Sequence, residues 1–271
     1  MISRYIEPNP SYTRSQAARS HSMSTTHFGY RTIPEEDKEG LVREVFSSVA
    51  SRYDLMNDLM SAGAHRLWKD ALVEWLNPQP GQQFLDVAGG TGDIASRIEH
   101  ALKKRERAPG CLIVCDVNDD MIREGMERAD LEGNSQMSWV AGDASRLPFD
   151  DGRFDAYTIA FGIRNVTRLD AALSEALRVL RFGGRFICLE FSSMGVAGLR
   201  ALYDAYSFRV LPRLGQLVAG DEDAYRYLVE SIRRFPTQND FARLIRSTGF
   251  SRVRVRSLSG SIAALHSAWK L

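Results

Sequence analysis

Three aspartates, each closing a short apolar run, are the residues of this chain whose types and spacing point to chemistry. Phe84 to Asp93 reads FLDVAGGTGD, LIVCDVN carries Asp116, and WVAGDASRLPF carries Asp143 followed by Ala144. Just after Asp86, three glycines fall within four residues: Gly89, Gly90 and Gly92. Such a turn at a strand end lets a ligand lie against bare backbone. Asp86 would repel a pyrophosphate there and attract a cation. S-adenosylmethionine, with an ammonium group and a sulfonium, is therefore the expected ligand. Gly90-Thr91-Gly92-Asp93-Ile94-Ala95 also satisfies the dinucleotide pattern, so an NAD(P)-dependent oxidoreductase is the competing reading. Asp116 would hold ribose hydroxyls of either cofactor. Asp143 and Ala144 favour the first, because a short acid accepts from an adenine amino group beside apolar surface. One such Asp alone is an N-cap or turn residue; three in register describe a cleft for a ligand with several donors and positive charge.

For the three acids to share a cleft, the elements that carry them must run parallel. The pattern predicts strands at 83–87, 111–116, 137–141 and 154–162, and helices at 92–105, 119–130 and 168–181. Gly183-Gly184 is expected to cap the last helix before the strand RFICLEF. Crossovers of this length require a parallel sheet with helices on both faces and ligands at the carboxyl ends of the strands. Ahead of the sheet, PEEDKEGLVREVFSSVASRYDLMND predicts a helix with Leu41, Val45, Val49 and Tyr53 on one face. HRLWKDALVEWL predicts a second, and both are placed to cap the cleft. After the sheet come an apolar segment from Leu199 to Gly220 interrupted by Pro212, helices in DAYRYLVESI and FARLIRSTGF, and the strand-like runs SRVRVRSL and IAALHSAWKL. The fold class expected is α/β, the class I S-adenosylmethionine-dependent methyltransferase fold. Its mostly parallel seven-stranded sheet would carry helices on both faces and end in an antiparallel strand. The domain reading is a tail over 1–26 and one domain over 27–271. Within it lie cap helices (27–80), a cofactor-binding core (81–191), a substrate-side helical insertion (192–250) and a terminal strand pair (251–271).

Composition narrows the classes further. The chain has 271 residues, 44% hydrophobic and 25% charged, enough for one sizeable core. Lys plus Arg (35) nearly balances Asp plus Glu (34), so no global field draws nucleic acid. The late arginines, from Arg226 to Arg256, read as polar helix faces and a solvated strand. Cys111, Cys115 and Cys188 lie in apolar runs, which predicts buried thiols with neither metal nor disulfide. No apolar run approaches the roughly 20 residues that span a bilayer. Residues 1–26 carry Arg4, Arg14 and Arg19, many Ser and Thr, and a single acid, Glu7. That composition suits a mitochondrial transit peptide or a disordered tail.

Four longer stretches carry a resemblance. HFGYRTIPEEDKEGLVREVFSSVASRYDLMNDLMSAGAHRLWKD, LDVAGGTGD, AFGIRNVTRLDAALSEALRVLRFGGRFICLEFS and YDAYSFRVLPRLGQLVAGDEDAYRYLVESIRRFP resemble, in order, the UbiE-type ubiquinone and menaquinone C-methyltransferases. The resemblance runs from His27 to Leu271, and VESIRRFP, CLEFS and ALHSAWKL look like its mitochondrial, ubiquinone-making branch. Arg181-Phe182-Gly183-Gly184 replaces the family's Lys-Pro-Gly-Gly, which puts the stiffness of that turn in question. Ala88 is the family's own form of a position where other methyltransferases carry glycine.

The resemblance implies C-methylation of a 2-methoxy-6-polyprenyl-1,4-benzoquinol with S-adenosylmethionine as donor. Thr91, Asp116, Asp143 and Ala144 would then contact the cofactor, beside Asp86, Gly89, Gly90 and Gly92 of the loop. It implies a matrix protein, peripheral on the mitochondrial inner membrane, within a multi-subunit quinone-making complex, and it is compatible with a homodimer. A catalytically silent scaffold subunit of that complex is the alternative. Carbon methylation needs alignment, a proton acceptor and stabilisation of a developing phenolate. Arg164 is expected as a clamp on the phenolate oxygen, or else paired with Asp170. Asn165 is expected to orient the ring, and a water relayed to Asp54, Tyr53 or His65 to take the proton. The segment LYDAYSFRVLPRLGQLV offers an apolar route for the prenyl tail or plain core packing.

Overall fold

The alternation of apolar runs and amphipathic stretches beyond residue 80 folds as it reads. The computed structural model describes residues 4–5, 24–49, 58, 61, 63–131, 137–192 and 222–271. Its strands are β1 (Arg4–Tyr5), β2 (Thr25–Phe28), β3 (Arg31–Pro34), β4 (Gln83–Val87), β5 (Cys111–Asp116), β6 (Met137–Ala141), β7 (Phe154–Ala160), β8 (Leu180–Phe191), β9 (Ser251–Leu258) and β10 (Ala263–Trp269). Its helices are α1 (Glu35–Val49), α2 (Ala64–Leu76), α3 (Asp93–Lys103), α4 (Asp119–Leu131), α5 (Leu169–Val179), α6 (Glu222–Arg234) and α7 (Gln238–Ser247).

The main sheet runs β1-β6-β5-β4-β7-β8-β10-β9. Pairing is parallel from β1 to β8, and β10 lies antiparallel to both β8 and β9. Seven strands, β4 to β10, thus form the expected mostly parallel sheet with its antiparallel end. β1 adds two residues at the edge, Arg4–Tyr5 beside Ser138–Trp139, within the stretch expected to be a free tail or presequence. Strand residues alternate between two cores, as the two-residue period of a sheet buried on both faces requires. Phe84, Leu112, Trp139 and Leu265 pack toward α2, α3, α4 and α6. Leu85, Ile113, Val140 and Ile159 pack toward α5 and α7. Each such buried aliphatic side chain contributes about 1.5–3 kcal/mol.

Four details differ from the sequence reading. The hairpin β2–β3, joined through Gly29-Tyr30, stands where only cap helices were expected. On α1 the buried stripe is Lys38 and Val42, with Val45 and Phe46 partly covered, one position round from the Leu41 and Val45 face; the side chain of Val49 and all of Tyr53 lie outside the described residues. The 192–250 segment is divided: α6 touches α1, whereas α7 packs on the opposite face against β9. Finally, Gly183-Gly184 is no helix cap. α5 ends at Val179, Leu180 is already extended (φ −72°, ψ 138°), and β8 advances from Leu180 to Arg185 while β7 advances only from Phe154 to Ala156. The glycines form this bulge, held by Gly183 N–H to Lys270 O (2.8 Å) and Lys270 N–H to Gly184 O (3.0 Å). Hydrogen bonds with Lys270, just past β10, rather than a proline, therefore stiffen the turn. The Lys270 ammonium completes the end of α5, donating to Leu180 O at 2.6 Å and Arg178 O at 3.3 Å, where the helix dipole favours a cation.

Candidate active site

The chain builds β4, β5 and β6 outward in one direction and returns to place β7 on the other side of β4. A crevice opens where strand order reverses. The connections after all four strands surround a cavity of about 440 Å³, roofed by Glu35, Glu39, Val42, Arg43 and Phe46 of α1. That volume falls within the ~300–1,000 Å³ usual for ligand pockets.

Asp116, at the tip of β5, binds two loops at once. Its Oδ2 accepts from Gly90 N–H at 2.8 Å and its Oδ1 from Asn118 N–H at 2.9 Å. Burial pushes this carboxyl above its ordinary value. Each oxygen keeps a further lone pair for a hydroxyl donor. Asp143 accepts from Ser145 N–H at 2.8 Å and from Ser145 Oγ, so it is a turn residue as well as a wall of the cavity. Gly90, Ala144 and Met121 add bare backbone and apolar surface to the same wall. Two acids with spare lone pairs, apolar contact and open backbone fit S-adenosylmethionine: Asp116 and Asp143 would take its donors and Gly90 its close approach.

The remaining loop residues serve from below. Gly92 opens α3 at φ 77°, and a Cβ there would stand 2.6 Å from Trp139. Neither it, nor Gly89, nor Thr91 lines the cavity. Asp86 also differs from expectation. It is 1% exposed beneath the loop, takes a 2.7 Å hydrogen bond from Thr158 Oγ1, and burial raises its pKa to about 7. It supports the loop rather than facing the ligand.

Beyond β7, Phe161, Gly162 and Asn165 line the cavity, and Lys38 of α1 donates to Val166 O at 3.4 Å. Arg164 does not line it. Its guanidinium meets neither Asp170 nor the cavity but Glu190 Oε1, at 2.9 Å, and Phe161 O; the side chains of both Arg164 and Glu190 are 1% exposed. Glu190 also accepts from the backbone N–H of Phe191 (2.8 Å) and of Arg164 (3.3 Å). The pair fixes the short turn Ile163–Asn165, so the expected phenolate clamp is instead an anchor, and Asn165 alone of the two reaches the cavity. Burial outweighs Arg164 and leaves the Glu190 carboxyl above its ordinary value. Asn165 Oδ1 accepts from Tyr227 Oη at 3.0 Å. His65 is buried away from the cavity, 2.8 Å from Asp58, with burial lowering its pKa to about 4. Tyr53, Asp54 and the segment from Leu199 to Gly220 lie outside the described residues.

Two residues escaped the sequence reading. Glu190, an acid inside the apolar run FICLEF, carried a signal, because a buried charge needs a partner. Tyr227 carried none beyond its place on an amphipathic helix.

The Thermotoga maritima S-adenosylmethionine-dependent methyltransferase structure aligns at TM-score 0.58 and 18% identity, covering 84% of this chain and 99% of that one. A Haemonchus contortus phosphoethanolamine N-methyltransferase 2 in complex with S-adenosyl-L-methionine aligns at TM-score 0.54 and 14% identity, covering 75% and 52%. At these identities the likeness establishes the class I methyltransferase fold. In sequence, the chain is similar to the ubiquinone/menaquinone biosynthesis C-methyltransferase UbiE of Paracoccus denitrificans, 59% identical over 91% of this chain and 97% of that one. The protein of the same name from Nitrobacter hamburgensis is 57% identical over 91% and 98%. The family model described as ubiE/COQ5 methyltransferase matches residues 32–270, and the chain belongs to that family.

Proposed function

We propose that this chain methylates a ring carbon of a polyprenylated benzoquinol in ubiquinone/menaquinone biosynthesis, a 2-methoxy-6-polyprenyl-1,4-benzoquinol in the ubiquinone case. The observation that carries the reading is the single cavity in which Gly90, Asp116, Asp143 and Asn165 meet. When bound, S-adenosylmethionine supplies an electrophilic methyl group. Asp116 and Asp143 accept hydrogen bonds from it, fixing its place, while the roof of α1 limits water. Asn165 offers an amide to a ring oxygen on the other wall. The attacking ring carbon becomes nucleophilic as a ring hydroxyl gives up its proton, and a donor at a ring oxygen stabilises the charge that develops. Water leading to Asp54 or Tyr53 is the proposed path for that proton. Alignment of the two reactants supplies several kcal/mol, up to ~7–11 in the best intramolecular cases.

Calorimetric titration with S-adenosylmethionine and with NADH tests the donor. Micromolar binding of the first alone, and turnover of a short-tailed methoxy-benzoquinol, is expected; binding of NADH alone overturns the reading. Asp116→Ala removes the carboxylate that ties Gly90 to Asn118 and that would take hydroxyl donors of S-adenosylmethionine, and should weaken its binding about 100-fold; unchanged affinity would exclude Asp116 from the site.

The finer setting belongs to the same proposal. Among the described residues no helix is long and apolar enough to cross a membrane. The prenyl tail of the substrate supports peripheral attachment to a membrane surface, and the resemblance supports a quinone-making complex and is compatible with a homodimer. The relatives named above are bacterial, so the mitochondrial matrix reading rests on the cationic, acid-poor composition of residues 1–26. Import of a fusion carrying those residues into isolated mitochondria tests it, and a fusion left outside refutes it.

A further inference from the structure

Tyr227 lies on α6, outside every motif that the cofactor uses, yet it reaches the cavity wall through one atom. Its ring stacks on Phe28 of the β2–β3 hairpin, with centroids 4.3 Å apart and planes 19° off parallel, and the residue is 5% exposed. Its hydroxyl donates to Asn165 Oδ1 at 3.0 Å. The ring is thus held on one face by Phe28, with its hydroxyl donating to Asn165 Oδ1.

The consequence follows from the two-sided chemistry of an amide. An Asn side chain ends in an acceptor oxygen and a donor NH2, and which end faces a ligand depends on what holds the other. With Oδ1 taken by Tyr227, the two Nδ2 protons are left to the cavity; the Asn165 side chain makes no other hydrogen bond among the described residues. In the reverse orientation an Nδ2 proton would donate to the hydroxyl oxygen, and the hydroxyl proton, on a residue 5% exposed, would lose the acceptor it has here.

We propose that Tyr227 is a positioning residue whose hydroxyl, steadied by Phe28, locks the Asn165 amide with its N–H donors toward the ring oxygen of the quinol. This rests on the methyl-transfer reading above and adds to it the group that sets the polarity of the substrate-facing wall. The oxygen is most negative once the ring hydroxyl has lost its proton. The ring carbon then takes the methyl group as the methyl–sulfur bond breaks and the neutral thioether leaves, and the ring becomes aromatic again as that carbon gives up its own proton and the oxygen regains one. A fixed donor favours the charged stage, whereas a freely turning amide presents its carbonyl oxygen part of the time and repels it. Tyr227 itself makes and breaks no covalent bond.

The test is a double-mutant cycle on the full chain, using Tyr227→Phe, Asn165→Ala and the combined variant. Steady-state kinetics are read with S-adenosylmethionine and a short-tailed methoxy-benzoquinol. Tyr227→Phe keeps the ring and its stacking on Phe28, and equal melting temperatures check that the fold survives. The expected result is a ~10–100-fold lower kcat with the KM for S-adenosylmethionine within about twofold, since a single donor of this kind is worth ~10²–10³ in rate when removed outright. The pH for half-maximal kcat should also move upward, because the ring hydroxyl loses a donor that favours its ionised form. In the Asn165→Ala background Tyr227→Phe should have no further effect. Wild-type kcat for Tyr227→Phe, or additive losses in the combined variant, overturns the proposal while leaving the methyl-transfer reading intact. Wild-type kcat for Asn165→Ala overturns both the proposal and the substrate-facing role of Asn165.

Discussion

Arg164→Ala should unfold this protein more easily before it says anything about catalysis. The two side chains of the Arg164–Glu190 pair are 1% exposed, and the guanidinium also donates to Phe161 O. Removing it leaves a buried carboxylate with two backbone N–H groups and no cation. Breaking one side of such a pair costs about 3–5 kcal/mol. For a domain of this size, 1 kcal/mol shifts the melting temperature by ~2–4 °C, which gives a drop of ~6–20 °C. The deficit should also grow with pH. Burial already holds the folded Glu190 carboxyl above its ordinary value, and losing Arg164 raises it further. A group with a raised folded pKa contributes stability that is full below its unfolded pKa, near 4.3, and is lost as pH rises through the folded value. Urea unfolding of wild type and Arg164→Ala between pH 4 and 8 reads both effects, provided the slope m is unchanged. Arg164→Met with Glu190→Gln, which removes both charges, should recover most of the loss. A deficit below ~1 kcal/mol, or one independent of pH, refutes the anchoring role. Intact stability with lost turnover would put the guanidinium on the substrate.

Two further outcomes follow from the loop. Gly92→Ala combines a left-handed φ of 77° with a Cβ 2.6 Å from the rigid Trp139 ring; it should cost more than ~1–2 kcal/mol and weaken S-adenosylmethionine at least tenfold by calorimetry, and a wild-type Kd would show that the loop shape is tolerant. Asp86, with a folded pKa of about 7 against an ordinary 3.8, stabilises the unliganded fold fully below pH ~4 and loses that contribution as pH rises through about 7. The urea midpoint of wild type should therefore fall across this window relative to Asp86→Asn, and parallel profiles would show Asp86 ionised throughout.

The strands and their aspartates were legible because local signals coincide there: apolar runs of strand length, each stopped by a short acid, at crossover spacing. Asp116 and Asp143 reach the cavity for that reason, one as the last residue of β5 and the other two residues past β6. Asp86 stands one layer lower because its strand continues through Val87 before the turn, a difference of register that composition does not show. Gly183-Gly184 misled because glycine caps helices and breaks strands alike; only the partner Lys270, far along the chain, decides between them. The partners of Arg164 and Asn165 were hidden for the same reason. Glu190 comes from β8, 26 positions from Arg164, and Tyr227 from α6, 62 positions from Asn165, and single-sequence patterns do not pair residues at that range.

The order of strands also sets a schedule for synthesis. Among the described strands β10 comes last in chain order yet belongs beside β8, and β9, made just before it, pairs there with β10 alone. Between the appearance of Phe191 and that of Ala263, 72 positions must be translated, about 4–14 s at ~5–20 residues per second. Through that interval the nascent chain carries β8, with Phe186, Ile187, Cys188 and Leu189, as an unpaired hydrophobic edge beside an otherwise completed parallel sheet, the kind of edge that recruits another chain. β10 is thus what covers this edge, so a chain stopped before Ala263 would leave it open for the life of the molecule.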